Sequence, residues 1–416
     1  MNRKFNRVAV IGLGYIGLPT AAMLANYGID VIGVDTNESV VATINRGEIH
    51  IVEPDLNAVV HHVVNNLKLK ASLLPENADA FIIAVPTPFK DQHAPDLSYV
   101  KAATKSIAPF LQPGNLVILE STSPVGTTDL VEAWIKEIRP ELRMPCDHGG
   151  DADIQIAYCP ERVLPGYVMK ELIENDRVVG GQTPYCAAQA VALYSIFLKG
   201  RCLITTARTA EMAKLTENAF RDVNIAFANE LSLICNKLNI DVWELIKLTN
   251  CHPRVNILQP GPGVGGHCIS VDPWFIVHSD PENSRLIRCA REVNDSKPMF
   301  IVREVQRLAQ QFDKPIIACL GLAFKANVDD LRESPSVSIV QKLAELNIGR
   351  ILVVEPYINK VPPQLSVYPN VELMSIEHAL ALSNVVVLLV NHGDFVNIDR
   401  EVLTGKVIMD TRGTWQ

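Results

Sequence analysis

The chain lacks an excess of positive charge. Its 38 lysines and arginines are outnumbered by 46 aspartates and glutamates, for a net charge of −8. That balance excludes the basic surface a nucleic-acid or polybasic membrane binder needs. Nine cysteines are scattered without a CxxC pair, so a reducing compartment, the cytoplasm, fits better than a disulfide framework. No His/Cys cluster has zinc-site spacing, so no metal is expected. Low-complexity tracts are missing, and past the N-terminus no run is long and apolar enough to span a bilayer. Residues 8–25 are uncharged and follow Arg3, Lys4 and Arg7, the outline of a signal peptide. Three glycines at fixed spacing and Pro19 fit a strand–turn–helix better.

What is present is ordinary globular material, 48 % hydrophobic and 20 % charged over 416 residues. At about 150 residues per domain, that is two or three domains. A β-rich run at residues 7–11 leads into Gly12-Leu13-Gly14-Tyr15-Ile16-Gly17, then a helix-like stretch that stops at Gly28. A second strand at 31–34 ends on Asp35, 18 positions past Gly17. Strand, GxGxxG turn, helix, strand and acid in this order form a dinucleotide-binding βαβ unit. Gly12, Gly14 and Gly17 permit the tight turn and the approach of a pyrophosphate to the helix N-terminus. Asp35 would accept hydrogen bonds from the adenosine ribose and repel a 2′-phosphate, which favours NAD over NADP.

Further strands are expected at 80–85, 116–119 and 154–157. They run into polar turns holding Thr87, Thr122, Thr128, Glu161, Arg162 and Val163, where ligands of a doubly wound sheet sit. Taken singly, each threonine reads equally as turn chemistry or an N-cap. Residues 144–153 read as a polar loop. The pattern turns helical from 209 to 238, with Lys214, Asn218 and Arg221 on one face and Leu215, Ala219, Val223 and Ala226 on an adjacent apolar one. A second helix covers about 284–312. The last hundred residues return to β/α alternation, with strands at 315–321, 351–354, 385–390 and 407–409 and a helix opening near Ser334-Pro335, but without a GxGxxG.

One stretch concentrates chemistry: Gly261-Pro262-Gly263-Val264-Gly265-Gly266-His267-Cys268, with Asp272 four residues on. Glycines let the backbone lie close to a ligand, and a thiolate in a partly exposed, electropositive turn is a nucleophile. The residues alone leave open a tight loop with a packed cysteine.

The order and spacing of these motifs resemble the UDP-glucose/GDP-mannose dehydrogenase family along essentially the whole chain. The marks are the N-terminal fingerprint, Ser121-Thr122-Ser123-Pro124-Val125-Gly126, Cys159-Pro160-Glu161-Arg162, Lys214 to Asn218, the Gly-Gly-His-Cys turn, and Phe324-Lys325 with Arg332. The runs around Glu161 and His252-Pro253-Arg254 look like the branch acting on N-acetylated UDP-hexosamines. The resemblance implies an α/β protein in three parts. These are an NAD-binding Rossmann domain (1–205), a central helical connector and dimerisation region (206–312), and a Rossmann-like UDP-sugar-binding domain (313–416). It also implies a homodimer and a four-electron oxidation of the sugar C6 alcohol to a carboxylate with two NAD⁺, on UDP-N-acetyl-D-mannosamine.

By that resemblance Cys268 is the nucleophile, Lys214 and Asn218 stabilise the alkoxide-like oxygen, and Asp272 and Glu161 order or activate water. A Lys214 of lowered pKa would also shuttle the proton. NAD contacts fall on Tyr15, Ile16, Asp35, Thr87, Thr122, Thr128 and Arg332. Sugar-nucleotide contacts fall on Arg162, Val163, Lys214, Asn218, Arg221, His252, Arg254, Gly265, Phe324, Lys325 and Arg412, the arginines suiting a diphosphate. Two rivals stand beside this reading: a dehydrogenase for UDP-N-acetyl-D-glucosamine, and a non-catalytic nucleotide-binding protein on the same fold.

Overall fold

The structure is a computed structural model that describes residues 5–90, 93–164, 166–266 and 268–415. Arg3, Lys4, Pro165 and His267 therefore lie outside the described residues. Two compact units divide at Thr216/Glu217.

In the first unit the strands are β1 (Arg7–Ile11), β2 (Asp30–Val34), β3 (Leu69–Ser72), β4 (Ala80–Ile83), β5 (Leu116–Leu119), β6 (Gln155–Tyr158), β7 (Arg177–Gly181) and β8 (Cys202–Thr206). They line up as β3-β2-β1-β4-β5-β6-β7-β8. All neighbours are parallel except the antiparallel pair β6–β7. β4 and β5 are buried at every position, because helices cover both faces of a parallel sheet and such strands read as unbroken apolar runs. The order reverses between β1 and β4, and the crevice beyond their carboxyl ends is the ligand position of this architecture. The helix after β1, Gly17–Asn26, is apolar almost throughout and ends before Gly28, whose φ of 94° no branched residue would adopt comfortably.

In the second unit the strands are β9 (Ile316–Leu320), β10 (Arg350–Val354), β11 (Val371–Leu373), β12 (Val385–Leu388) and β13 (Val407–Asp410). They form an all-parallel sheet in the order β11-β10-β9-β12-β13. This repeats the first half of the N-terminal sheet more closely than the sequence suggests. Gly321 N–H donates to Val354 O at 2.8 Å, as Gly12 N–H does to Val34 O at 2.8 Å. Both glycines have positive φ, +96° and +92°. Glu355 follows β10 as Asp35 follows β2, and it holds the turn through Leu322 and Ala323 N–H. It is fully buried against His392, whose Nδ1 accepts from Asn327 N–H, leaving Nε2 to donate to Glu355 at 3.1 Å. Burial opposes the Glu355 charge, but His392 and the two N–H groups hold its pKa below the ordinary carboxylate value. A carboxylate consumed in this way cannot receive a ribose.

The expected strands and helices are present with ends shifted by a few residues. β3, β7, β8 and β11 were not anticipated. β7 opens on a charged arginine and closes on two glycines, and β3 and β11 are only 4 and 3 residues long. The expected loop at 144–153 contains a helical turn, Pro145–His148, with proline at its start.

In chain order four helices separate β8 from β9, and the two long ones are Ala207–Leu238, 32 residues and about 48 Å long, and Arg285–Ala309. The boundary between the units falls inside the longer one. On that helix Glu211, Asn218, Asp222 and Asn229 lie within roughly 40° of one another at 3.6 residues per turn. Three of them are fully buried and Asn218 is half-buried. On the far side Phe220, Phe227, Ile234 and Leu238 are 70, 56, 46 and 60 % exposed. Of the expected apolar face, Leu215, Ala219 and Ala226 are already packed at 0, 3 and 4 % exposure and Val223 is half-buried. The helix thus buries a polar stripe beside small apolar residues and leaves a stripe of large apolar side chains open.

Candidate functional site

At the head of the N-terminal sheet, three glycines have distinct reasons. A Cβ on Gly12 would lie 2.5 Å from Ala84 O, and one on Gly17 would lie 1.8 Å from Gly12 O. Gly14 faces open space and is exposed. The helix after them has no side-chain cap at Ile16. Leu18 and Thr20 N–H donate to Gly14 O and Ile16 O, each at 3.1 Å, and Pro19 has no N–H, so what the turn offers an anion is the positive end of the helix dipole. Asp35 Oδ2 accepts from Leu13 N–H at 3.0 Å and Oδ1 from Asn37 N–H at 2.9 Å. It stays half-buried, unlike Glu355, with acceptor capacity left for two hydroxyls. These residues fit NAD, which would lie with its pyrophosphate over Gly14 and its adenosine ribose at Asp35. Tyr15 and Ile16 are half-buried beside that turn.

The threonines at the ends of β4 and β5 differ in state. Thr87 Oγ1 donates to Thr122 O at 2.6 Å, and both residues are half-buried. Thr128 is fully buried, and its N–H and Oγ1 both donate to Glu211 Oε1, at 2.8 and 2.6 Å. Gly126 N–H donates to the other oxygen at 2.6 Å. Glu211 therefore caps the helix Thr127–Ile138 from outside that helix, and burial lifts its pKa. The Thr128 hydroxyl is a structural donor first.

Glu161 follows β6 and is bound on both oxygens. Arg162 N–H donates to Oε1 at 2.8 Å, and the Arg177 guanidinium donates to Oε2. Arg177 also pairs with Glu120 at 3.0 Å and stacks 4.0 Å above the Tyr194 ring. Burial opposes its charge, yet Glu161 and Glu120 hold its pKa above the ordinary arginine value. Glu120 is raised, chiefly by burial.

In the second unit the glycine-rich stretch is clamped from several sides. Gly261 lies where a Cβ would sit 2.8 Å from Arg412 Nη1. Gly263 packs against Pro335 and Pro298. Gly265 lies against Glu333 O, Pro335 and Phe324, and Gly266 against the Phe324 ring. Gly266 N–H donates to Arg332 O at 3.2 Å. Cys268 is half-buried in the turn entering the helix Asp272–Ser279, and its carbonyl accepts from Val271 and Asp272 N–H at 3.0 and 2.8 Å. That is the positive end of the helix dipole, where thiolate is favoured. Asp272 is buried, and Asn218 Nδ2 donates to its Oδ2 at 2.5 Å. Cys268, Asp272 and Gly265 thus share one short segment of backbone, Asn218 joins it by a hydrogen bond, and Phe324 packs against its glycines.

The other expected residues differ in exposure and partners, and Arg162 Nη1 donates to Asp176 O at 3.2 Å. Arg221, His252, Arg254 and Lys325 are exposed, and Arg162, Val163 and Lys214 half-buried. Arg332 is forked onto Asp330 at 2.6–3.1 Å. Arg412 Nε donates to Leu389 O at 2.9 Å. Its residue is half-exposed, but desolvation of the guanidinium pushes its pKa down to about 10. Among the described residues no group of three or more His, Cys, Asp or Glu could hold a metal, and no helix is long and apolar enough to cross a membrane.

Three family models match the chain in succession. They are the NAD-binding domain of the UDP-glucose/GDP-mannose dehydrogenase family at residues 6–198, its central domain at 208–296 and its UDP-binding domain at 318–416. The chain belongs to the UDP-glucose/GDP-mannose dehydrogenase family. It is an oxidoreductase with an NAD-binding domain, and the expected α/β architecture holds. It is 59 % identical over 399 residues to UDP-N-acetyl-D-mannosamine dehydrogenase of Campylobacter jejuni, covering 96 % of this chain and 98 % of that protein. It is 57 % identical over 411 residues to NDP-N-acetyl-D-galactosaminuronic acid dehydrogenase of Ralstonia nicotianae, covering 99 and 96 %. Among solved structures, UDP-D-ManNAc dehydrogenase of Pyrococcus horikoshii matches with a TM-score of 0.89 at 37 % identity, covering 99 and 96 %.

Sequence reasoning missed several polar residues of this dehydrogenase: Glu120 and Arg177 behind Glu161, Glu211 behind Thr128, and Asp222, Asn229 and Arg291 between the two helices. A signal for the helical ones existed. Glu211, Asn218, Asp222 and Asn229 recur at 7, 4 and 7 residues, a polar stripe along one face.

Proposed function

We propose that the chain oxidises the C6 alcohol of UDP-N-acetyl-D-mannosamine to the carboxylate, through a thiohemiacetal and a thioester on Cys268. The observation that carries this is Cys268 in its clamped glycine turn at a helix N-terminus, beside the Asn218–Asp272 pair, in a chain matched by all three family models. NAD, bound at Gly14 and Asp35, accepts a hydride in each of the two oxidations. Lys214 and Asn218, one turn apart, hold the C6 oxygen as it gains negative charge. The Cys268 thiolate adds to the aldehyde and later leaves as water cleaves the thioester. Asp272 and Glu161 order that water. Arg162, Arg221, His252, Arg254, Lys325 and Arg412, with Val163, Gly265 and Phe324, receive the sugar nucleotide. Tyr15, Ile16, Thr87, Thr122, Thr128 and Arg332 complete the NAD contacts, Thr128 through its backbone segment. The division at 1–205, 206–312 and 313–416 and a cytoplasmic location belong to the same reading, supported by the order of the family models and the scattered cysteines.

The Ralstonia relative supports a second reading, an N-acetylgalactosamine-type sugar. UDP-N-acetylmannosamine, -glucosamine and -galactosamine and UDP-glucose, each with NAD⁺ and NADP⁺, separate the readings by NADH yield. Two NADH per UDP-N-acetyl-D-mannosamine, little from UDP-glucose, and a clear kcat/KM preference for NAD⁺ are expected. Comparable turnover of UDP-glucose contradicts the N-acetyl-sugar assignment. A preference for NADP⁺ contradicts the role of Asp35.

The same proposal includes a homodimer, supported by the exposed Phe220–Phe227–Ile234 stripe seven residues apart on the long helix. Phe227→Asp is expected to shift light scattering of the protein at micromolar concentration from a dimer to the 45.8 kDa monomer. A wild type that is already monomeric refutes it.

A further inference from the structure

Between the long helix and the helix Arg285–Ala309 runs a directional chain of buried hydrogen bonds. Arg291 Nη1 donates to Asp222 Oδ1 at 2.6 Å, and Asn294 Nδ2 donates to the same oxygen at 2.8 Å. Asn229 Nδ2 then donates to Asn294 Oδ1 at 2.8 Å, and Gly261 N–H to Asn229 Oδ1 at 2.9 Å. Asp222, Asn229, Arg291 and Asn294 are each 0–1 % exposed. The carboxylate at one end fixes both amide orientations, because a flipped Asn294 would aim its oxygen at Asp222 and a flipped Asn229 would aim its NH₂ at the Gly261 N–H. The far end of the chain is the first residue of the stretch that carries Cys268.

We propose that Asn229 is a positioning residue for Cys268, aligned by Asp222, Arg291 and Asn294. This rests on the reading that Cys268 is the nucleophile. Gly261 is buried, so an N–H without its acceptor is costly there, and the backbone must move to satisfy it. Downstream, Gly263, Gly265 and Gly266 are packed against Pro298, Pro335 and Phe324 with no room for a Cβ. A displacement at Gly261 therefore travels toward Cys268 instead of dissipating at the next residue.

A control lies on the same helix pair. Lys297 Nζ donates to Ser232 Oγ at 2.7 Å, with burial pushing its pKa down to about 8. It bridges the two helices, and Ser232 Oγ donates on to the Asn229 carbonyl oxygen at 2.6 Å, so it meets the helix backbone and not the Asn229 side chain that receives Gly261 N–H. Asn229→Ala is expected to slow acid formation about 100-fold, the scale on which a reacting group displaced by an ångström loses rate. KM for the sugar nucleotide should stay within about twofold, because the lost interaction belongs to the reacting geometry. Iodoacetamide labelling of Cys268, followed by peptide mass spectrometry across pH without substrate, should change in rate or in midpoint. Lys297→Met should leave both readouts at wild-type values. Unchanged Cys268 labelling and acid formation in Asn229→Ala overturn the proposal, as does an equal loss in Lys297→Met. If Asn229→Ala does not fold, hydrogen exchange at the Gly261 amide of the wild type decides: strong protection supports the proposal, and free exchange overturns it. Labelling needs no sugar, so a wild type inactive on every UDP-sugar refutes the proposed function while the positioning test still stands.

Discussion

Cys268→Ser is expected to stop acid production while the protein folds and still binds both nucleotides. The exchange is nearly isosteric at a half-buried turn, and the backbone bonds that place the residue, its carbonyl to Val271 and Asp272 N–H, do not involve the side chain. What changes is chemistry. A serine hydroxyl has a far higher pKa than a thiol, so the helix dipole that favours a thiolate cannot generate an alkoxide. An ester also hydrolyses less readily than a thioester. Turnover to acid should fall at least about 10⁴-fold, the scale of removing a nucleophile outright, or roughly 5.5 kcal/mol of barrier at 1.36 kcal/mol per decade. The first hydride transfer requires no covalent bond, so some aldehyde and up to one NADH per sugar should survive. Stopped-flow absorbance with quantitation of acid, aldehyde and NADH separates the two steps. Two NADH per sugar at near wild-type rate from Cys268→Ser would reduce Cys268 to a packed residue and end the thioester mechanism.

The parts of this molecule legible from sequence are those where sterics leave one solution. Gly12 and Gly17 have no room for a Cβ, and Asp35 must stand at the end of β2 to reach Leu13 N–H. A pattern of residue types therefore encodes geometry directly. The glycine turn before Cys268 is readable for the same reason. Buried charges are not readable in this way. Asp222 and Arg291 lie 69 positions apart, and each looks like a residue on the solvated face of a helix until the other is placed against it. Arg177 begins a strand, where a charge reads as the end of a loop. The second sheet hides its likeness to the first because only Gly321 of the glycine pattern remains, with Glu355 turned inward to His392.

Arg177→Met should destabilise the N-terminal unit more than any surface change. Arg177 is 4 % exposed at its side chain and holds two carboxylates, Glu120 at 0 % and Glu161 at 9 %. Removing one partner of a buried pair leaves charge without compensation and costs about 3–5 kcal/mol. For a unit of this size that lowers the melting temperature by about 10 °C. Tyr194 Oη and Thr20 Oγ1 still donate to Glu120, at 2.8 and 3.3 Å, but neutral donors do not replace a guanidinium. The loss should depend on pH in a set direction. Burial, the largest influence, raises the Glu120 pKa, while Arg177 opposes it. Without the arginine the folded pKa moves further up, so above the ordinary carboxylate value of about 4.3 the folded state holds a proton that the unfolded state has released. Stability then falls as pH rises through that window and recovers as Glu120 protonates. Urea melts at pH 5.5 and 8 should show a larger deficit for Arg177→Met at pH 8. Adding Glu120→Gln should restore part of the deficit, because it removes one of the two stranded carboxylates. A variant that tracks the wild type at both pH values, or a double variant weaker than the single one at pH 8, would show that the cluster is screened by water and that Arg177 does not hold it together.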